Sequence, residues 1–354
     1  MFIPVLLFAL GLILLIKGGD WFVDGAAGIA SSFKVPDLLI GATVVSIGTT
    51  LPEVMVSANS ALSDHGEIAY GNAVGSIICN TALIAAVTIA IKPSVVDRRA
   101  LITPVIFFFT AATFYTIIAA VYKGFSRITG VILLAMFACY MVTLIKDAMA
   151  GIRAGNKKGA GKNITDADKN GEESIRKSGS GSDNATDKAE DDRNPIWKLC
   201  ILLVIGAVLI ATGADLLVDN GTLIAQELGV PESVIALTFV ALGTSLPELV
   251  TAITSLIKGH GALSLGNICG ANLFNLVLVS GLSIVLRPFQ IPAEKVVYIN
   301  GREVIASLVI DIPIMILVML IMTVPALIRG RLSRAQGIIL LVIYFTFAFI
   351  QFFG

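Results

Sequence analysis

Charge is scarce in this chain, and so are the residues that build soft-metal centres or disulfide frameworks. Only 14% of the 354 residues are charged, and 25 basic residues balance 25 acidic ones. This balance argues against a nucleic-acid surface or a polybasic tail. The sequence has two histidines and four cysteines, and the cysteines stand singly in apolar segments without a CxxC spacing. We therefore expect no thiolate or imidazole metal site and interpret the cysteines as packed thiols.

Apolar side chains dominate the sequence. They make up 56% of the residues, and the mean hydropathy is +0.89. An apolar run of about 20 residues is long enough to cross a bilayer as a helix. The sequence therefore predicts an all-α polytopic membrane protein with ten transmembrane helices, near residues 3–32, 36–63, 67–91, 99–121, 127–147, 197–227, 231–257, 262–286, 301–324 and 334–352.

The chain contains the same module twice. A shift of 195 residues, the distance from Glu53 to Glu248, aligns GTTLPE (48–53) with GTSLPE (243–248) and GNAVGSIICN (71–80) with GNICGANLFN (266–275). Each copy spans the membrane an odd number of times, so the second copy must be inverted relative to the first. Inverted repeats are typical of secondary transporters, whose solute site lies near the midplane where broken helices of the two repeats meet.

A polar segment separates the two copies. Residues 151–194 are rich in Gly, Ser, Asn, Asp and Lys and cannot bury a core, so we predict a flexible linker. The predicted organisation is a first five-helix repeat (1–150, motif 41–84), the linker, and a second repeat (195–354, motif 236–279). Lys and Arg are more frequent in the predicted loops on the linker's side, which predicts a cytoplasmic linker and extracytoplasmic termini in a cell membrane.

The repeated motif places an acid in the middle of an apolar span. A carboxylate there is costly and is expected to face a cavity, a partner or a cation. Thr49 and Thr50 lie about one turn before Glu53 on the same helix face, and Thr244 and Ser245 do so for Glu248. Each proline that precedes an acid also frees a backbone carbonyl one turn earlier.

The motif that follows adds amides and a further hydroxyl. Asn72, Ser76 and Asn80 fall on one helix stripe, and Asn267 and Asn275 fall on the matching stripe of the second copy. Together with the acids they form an all-oxygen set, which suits a hard cation such as Ca²⁺ with its six to eight oxygen ligands. Sodium would accept the same ligands.

These two motifs resemble those of the cation/calcium exchanger superfamily, and within it the chain resembles a prokaryotic sodium/calcium exchanger. The resemblance implies a secondary antiporter that exchanges Na⁺ for Ca²⁺ by alternating access, with no cofactor and no enzymatic activity. It implies a central calcium site of Glu53 and Glu248 with oxygens around Thr49 and Thr244. The implied sodium sites share the acids and use Ser46, Thr50, Ala241, Ser245, Ser76 and Asn80.

Two positions depart from the family pattern. Ala271 stands where the family often has serine, so one sodium ligand is expected to be missing or replaced by water. Asn275 stands where potassium-dependent relatives have aspartate, which implies potassium-independent exchange. The family's usual ratio of three Na⁺ to one Ca²⁺ would make transport electrogenic. We expect a protein that functions as a monomer in the lipid bilayer and binds no nucleic acid.

Three other functions remain open from the sequence. A calcium/proton exchanger of the same superfamily would carry protons on the glutamates and need no sodium. A cation channel could also use a pair of acids, although mirrored broken helices favour a transporter. An intramembrane hydrolase would need a nucleophile beside a base, and Ser245 has only Glu248 nearby in sequence.

Overall fold

Helices account for nearly all of the chain in the computed structural model, which describes residues 2–33, 35–93, 95–165, 195–227, 243, 245–293, 296–299 and 302–353. Within these ranges, nine helices are long and apolar enough to cross a membrane. They are α1 (Phe2–Phe33), α2 (Asp37–Leu62), α3 (Gly66–Ile91), α4 (Arg98–Tyr122), α5 (Arg127–Thr165), α6 (Ile196–Glu227), α8 (Gly261–Leu286), α9 (Ser307–Arg329) and α10 (Arg334–Phe353). A shorter apolar helix, α7 (Leu246–Ile257), is the described part of the predicted seventh span.

Local signals set several helix ends. The Asp97 side chain accepts a hydrogen bond from the Arg99 N–H at 2.9 Å and caps α4. Helix α9 ends at Gly330, whose φ of 66° is the left-handed conformation that glycine adopts without strain. Between α8 and α9, β1 (Val296–Ile299) pairs with β2 (Arg302–Ile305) in an antiparallel hairpin.

The structure corrects the predicted start of the ninth span. The ninth span was predicted from residue 301, but residues 302–305 form β2 and the helix begins at Ser307. Tyr298 donates a 2.7 Å hydrogen bond to Glu303 across the hairpin, and this contact favours a strand pair over an earlier helix start. Helix α5 continues to Thr165 and so includes the first residues of the predicted linker. The rest of the linker, 166–194, lies outside the described residues.

The two repeats cross at α1 and α6. A Cβ on Gly11 would lie 2.8 Å from the Gly213 carbonyl oxygen, and a Cβ on Gly18 would lie 2.9 Å from that of Gly206. In the 195-residue register Gly11 corresponds to Gly206 and Gly18 to Gly213. Each contact is therefore the mirror of the other, as a pseudo-twofold axis through the crossing requires.

A second pair of contacts, related by the same pseudo-twofold symmetry, lies around the centre of the molecule. Gly130 of α5 packs against Gly281 of α8, and Gly337 of α10 packs against Ala86 of α3. Gly281 and Ala86 are equivalent in the repeat register. Because α3 and α8 are covered in this reciprocal way, they are the most enclosed spans, with 72% and 83% of their central residues buried. Three π-helical turns lie on the helices of this centre, at Gly41–Val45, Asn80–Ala85 and Asn275–Val279.

Candidate cation site

Two mirrored carboxylates lie at the centre of the helix bundle. Glu53 follows Pro52 within α2, and Glu248 lies in the first turn of α7, one residue after Pro247. The two prolines line one small cavity, to which α1 and α6 also contribute side chains. Its lining residues are Phe22, Gly48, Thr49, Pro52, Ala207, Ile210, Ala211 and Pro247. The two halves of the duplicated motif therefore meet in space, as the repeat predicts.

Both carboxylates are fully buried. Glu53 and Glu248 each have 0% of their surface exposed. None of their four oxygens has a hydrogen-bond partner within the part of the chain that the structure describes. The two acids also interact electrostatically with one another. Burial of two unpaired, mutually repelling carboxylates is costly, and a bound cation would remove most of that cost.

Further buried oxygens surround the acids without partners of their own. The hydroxyls of Thr50 and Ser245 and the side-chain amides of Asn80 and Asn275 are buried and make no hydrogen bond to described residues. Thr49 and Thr50 approach the Glu248 carboxylate. Asn80 and Asn275 each begin a π-helical turn, a local widening that is frequent at functional sites. This donor set of carboxylate, hydroxyl and amide oxygens has the chemistry that Ca²⁺ and Na⁺ prefer.

Other predicted residues hold the helices in place. The Thr49 hydroxyl donates to the Asn267 side-chain oxygen at 3.2 Å, so it bridges α2 and α8. The Ser46 hydroxyl lies 2.7 Å from the Gly41 carbonyl oxygen and 2.9 Å from that of Asn267. The Asn72 amide donates to the Glu53 carbonyl oxygen at 3.2 Å and to the Ser57 hydroxyl at 2.7 Å. These bonds fix the backbone on which Glu53 stands.

The remaining predicted ligands divide into two groups. Ser76 is buried on α3 with 5% of its surface exposed. Ala241 and Thr244 lie outside the described residues, so their predicted roles stay predictions.

Sequence reasoning passed over two features beside the site. The thiol of Cys79, interpreted above as a packed thiol, lies near Ser245 and within electrostatic reach of both carboxylates. Its position directly before Asn80, a predicted ligand, could have indicated from the sequence that this thiol lies beside the site. The second feature is a buried polar cluster, in which the Asn272 amide donates to Thr81 at 2.7 Å and contacts the Met319 sulfur at 3.2 Å. Thr81 and Asn272 correspond to Leu276 and Ile77 in the repeat register, so a search for mirrored residues misses them.

The fold and the site together define a class of protein. Two buried acids from inverted repeats, ringed by oxygen donors, are the features of a multi-pass membrane transporter for small hard cations. Among the described residues no group of three His, Cys, Asp or Glu side chains is placed to hold one metal ion, and no third carboxylate adds formal negative charge to the two glutamates.

Comparison with known proteins identifies the family. Residues 3–146 and 198–353 match the family model described as sodium/calcium exchanger protein, and the chain belongs to this family, as a prokaryotic member of the cation/calcium exchanger superfamily. It is 32% identical to an uncharacterized membrane protein of Methanocaldococcus jannaschii, over 95% of this chain and 94% of that protein. It is 29% identical to the sodium/calcium exchanger MaX1 of Methanosarcina acetivorans, over 98% of each chain.

A solved structure extends the likeness to the fold. The sodium-calcium exchanger NCX_Mj, soaked with Na⁺ and Sr²⁺, matches with a TM-score of 0.74 and 29% identity, over 100% of this chain and 99% of that one. The predicted fold class, ten transmembrane helices in two inverted five-helix repeats, is confirmed. The homologues are exchangers and not enzymes, which confirms that expectation as well.

Proposed function

We propose that this protein is a secondary antiporter that exchanges Na⁺ for Ca²⁺ and that Glu53 and Glu248 bind the transported ions. The observation that carries the proposal is the pair of fully buried carboxylates on mirrored helices, neither of which has a hydrogen-bond partner in the described part of the chain. A divalent cation between them would cancel both charges. Membership of the exchanger family points to the same pair of ions.

The proposed ligands are assigned mainly from the buried side chains described above that have no partner among the described residues. Ca²⁺ would bind between the two carboxylates, with oxygens of Thr49 and Thr244 completing its shell. The hydroxyls of Thr50 and Ser245 and the amides of Asn80 and Asn275, which have no partner among the described residues, would bind Na⁺. Ser46, Ser76 and Ala241 complete the proposed sodium set. Ser46 would contribute only if its present bonds to Gly41 and Asn267 loosen.

Alternating access is supported by a difference between the repeats. On α7, Val250 and Thr254 pack against Gly19 of α1. The equivalent residues on α2 are Met55, which is 68% exposed, and Asn59, which is also exposed. A transporter that is closed at one membrane face is expected to show this asymmetry, because α1 then covers this face of α7 while the equivalent face of α2 stays uncovered. The opposite conformation would exchange these two environments.

Lys258 strengthens the covered side. Its ammonium lies 2.8 Å from the Asp24 carboxylate and 3.4 Å from that of Asp20, both on α1. The equivalent of Lys258 on the uncovered side is Ser63, which has no charge to contribute. The ion pairs are therefore specific to one of the two proposed conformations.

The charge of the site supports two finer proposals. Three Na⁺ in exchange for one Ca²⁺ would move one net charge per cycle, so transport would be electrogenic. Asn275 is a neutral amide at the position that resembles the aspartate of potassium-dependent relatives, so exchange would not need K⁺. The Lys and Arg distribution supports extracytoplasmic termini and a cytoplasmic linker, and because one chain holds both halves of the site, we propose a functional monomer.

Calcium flux into proteoliposomes tests this function. Vesicles loaded with NaCl are diluted into choline, potassium or sodium medium at fixed pH, and ⁴⁵Ca²⁺ uptake is followed. We expect uptake only with an outward sodium gradient, equal rates in choline and potassium, and loss of uptake in both Glu53→Gln and Glu248→Gln. Uptake driven by a pH gradient without sodium would instead identify a calcium/proton exchanger, and flux at channel rates that does not saturate would identify a channel.

A further inference from the structure

Hydroxyl side chains within the helices of this protein normally bond to their own helix. Thr113, Thr116 and Thr143 each donate to the carbonyl four residues earlier, at 2.6 to 2.8 Å. Thr323 and Thr346 do the same at 2.6 and 2.8 Å. This back-bonding satisfies a hydroxyl in an apolar environment without any other partner.

Two hydroxyls of α7 break this rule. Thr251 and Ser255 are both 0% exposed, yet neither hydroxyl has a hydrogen-bond partner among the described residues. They lie three and seven residues after Glu248, so all three side chains fall on one helix stripe. This stripe is next to, and distinct from, the one on which Val250 and Thr254 contact α1.

A third buried hydroxyl of this kind lies in the first turn of the next helix. Ser264 of α8 is 3% exposed and its oxygen also lacks a partner among the described residues. It lines a cavity of about 20 Å³ between α3, α7 and α8, together with Leu256 and Lys92. A cavity of that size holds about one water molecule, and Lys92 itself is exposed at the end of α3.

The first repeat lacks two of these three hydroxyls. The equivalents of Thr251, Ser255 and Ser264 are Val56, Ser60 and Ala69, so only one of the three is a hydroxyl. The pseudo-twofold symmetry of the fold therefore does not require these residues. A buried hydroxyl without a partner is destabilising, and three of them without partners among the described residues call for a conformation in which they are hydrated.

We propose that Thr251, Ser255 and Ser264 line the route by which cations pass between Glu248 and the membrane face that bears Lys258. The inference rests on the proposed antiport function. In the present conformation α1 packs against the neighbouring stripe of α7, at Val250 and Thr254, and the route is closed and nearly dry. When α1 moves off α7, water enters and the three hydroxyls replace part of the hydration shell of a passing Na⁺ or Ca²⁺.

Side-specific thiol labelling tests the route. The exposed Cys139 and Cys200 are first replaced by alanine, and the buried Cys79 and Cys269 are kept. Thr251→Cys or Ser255→Cys is then added, and a membrane-impermeant thiosulfonate is applied to right-side-out or inside-out vesicles. Adducts are counted by intact mass against the parent protein.

We expect modification of both variants at least about tenfold faster from the face bearing Lys258 than from the other face. Thr323→Cys is the matched control, because Thr323 lies on α9, is only 1% exposed and bonds back to its own helix; it should stay unmodified. Labelling of Ser255→Cys from the opposite face, or as little labelling as Thr323→Cys from both faces, would overturn the proposal.

A transport measurement addresses the same residues with the native cysteines in place. Thr251→Val and Ser255→Ala remove the hydroxyls with little change of shape. We expect the maximal rate of exchange to fall roughly tenfold in the double variant, equivalent to about 1.4 kcal/mol in barrier height. Equilibrium ⁴⁵Ca²⁺ binding and thermal stability in detergent should be retained.

The two proposals fail separately. An unchanged transport rate in the double variant contradicts the route while leaving the antiporter intact. Failure of the wild-type protein to exchange sodium for calcium contradicts the antiporter, whereas the labelling pattern depends only on access to the stripe.

Discussion

The charge of the site predicts which half of the transport cycle responds to voltage. Glu53 and Glu248 contribute two negative charges, and no further acid joins them among the described residues. With one Ca²⁺ bound the site would be neutral, and with three Na⁺ it would carry one positive charge. The membrane potential should therefore act on the sodium-loaded transition and leave the calcium-loaded transition unaffected.

The expected size of the effect follows from one charge crossing the membrane. That charge is worth about 2.3 kcal/mol per 100 mV, a factor of about 50 in an equilibrium constant. If the barrier lies midway, the rate of the sodium-loaded step changes about sevenfold per 100 mV. Voltage-clamped proteoliposomes in which ²²Na⁺/Na⁺ and ⁴⁵Ca²⁺/Ca²⁺ self-exchange are measured separately would resolve this difference.

Asn275→Asp should reverse the pattern. The added carboxylate would make the calcium-loaded site singly negative and the sodium-loaded site neutral, so calcium self-exchange would become the voltage-dependent reaction. The measurement is best made at alkaline pH, where the new acid is ionised. Asn220→Asp, an equally isosteric change on α6 outside the site, should leave the wild-type pattern unchanged. If wild-type calcium self-exchange already varied with voltage as steeply as sodium self-exchange, the charge assignment would be refuted.

Three further predictions concern packing and the proposed conformations. Gly18→Ala should destabilise the protein by about 1 to 3 kcal/mol because the added Cβ meets backbone atoms of α6 at under 3 Å. Thermal unfolding in detergent measures this, with Gly71→Ala at an exposed position as the control. Equal stability of both variants and the wild type would contradict the prediction. Asn272→Leu should cost about 1 to 3 kcal/mol by removing the hydrogen bond that the buried Thr81 hydroxyl accepts from the Asn272 amide, and adding Thr81→Val should recover part of that loss. Strictly additive losses in urea unfolding would argue against the pairing. Lys258→Met should speed labelling of the Ser255→Cys variant about twofold to fivefold by removing the ion pairs to α1. An unchanged rate would show that those ion pairs do not stabilise the closed conformation.

Much of the architecture was predictable because the bilayer leaves few choices. Apolar runs of helix length gave most of the spans within a few residues, since a backbone in lipid must satisfy its own hydrogen bonds. The internal repeat predicted that Glu53 and Glu248 would meet, because an odd number of spans inverts the second copy. The hairpin at residues 296–305 was missed because its cross-strand contacts bring together residues that the apolar pattern does not connect.

The sequence by itself determined the membrane class, the inverted repeat and the two acids, since each depends on composition, spacing or a repeated motif. Only the tertiary structure decided which polar groups are already paired. Thr49 and Ser46 bond to Asn267, while the side chains of Thr50, Asn80 and Asn275 have no hydrogen-bond partner among the described residues. It also distinguished the face of α7 that α1 covers, at Val250 and Thr254, from the equivalent face of α2, at Met55 and Asn59, which lies exposed. Two nearly identical motifs cannot encode that difference, because it arises from the position of α1 and α6 relative to the other helices.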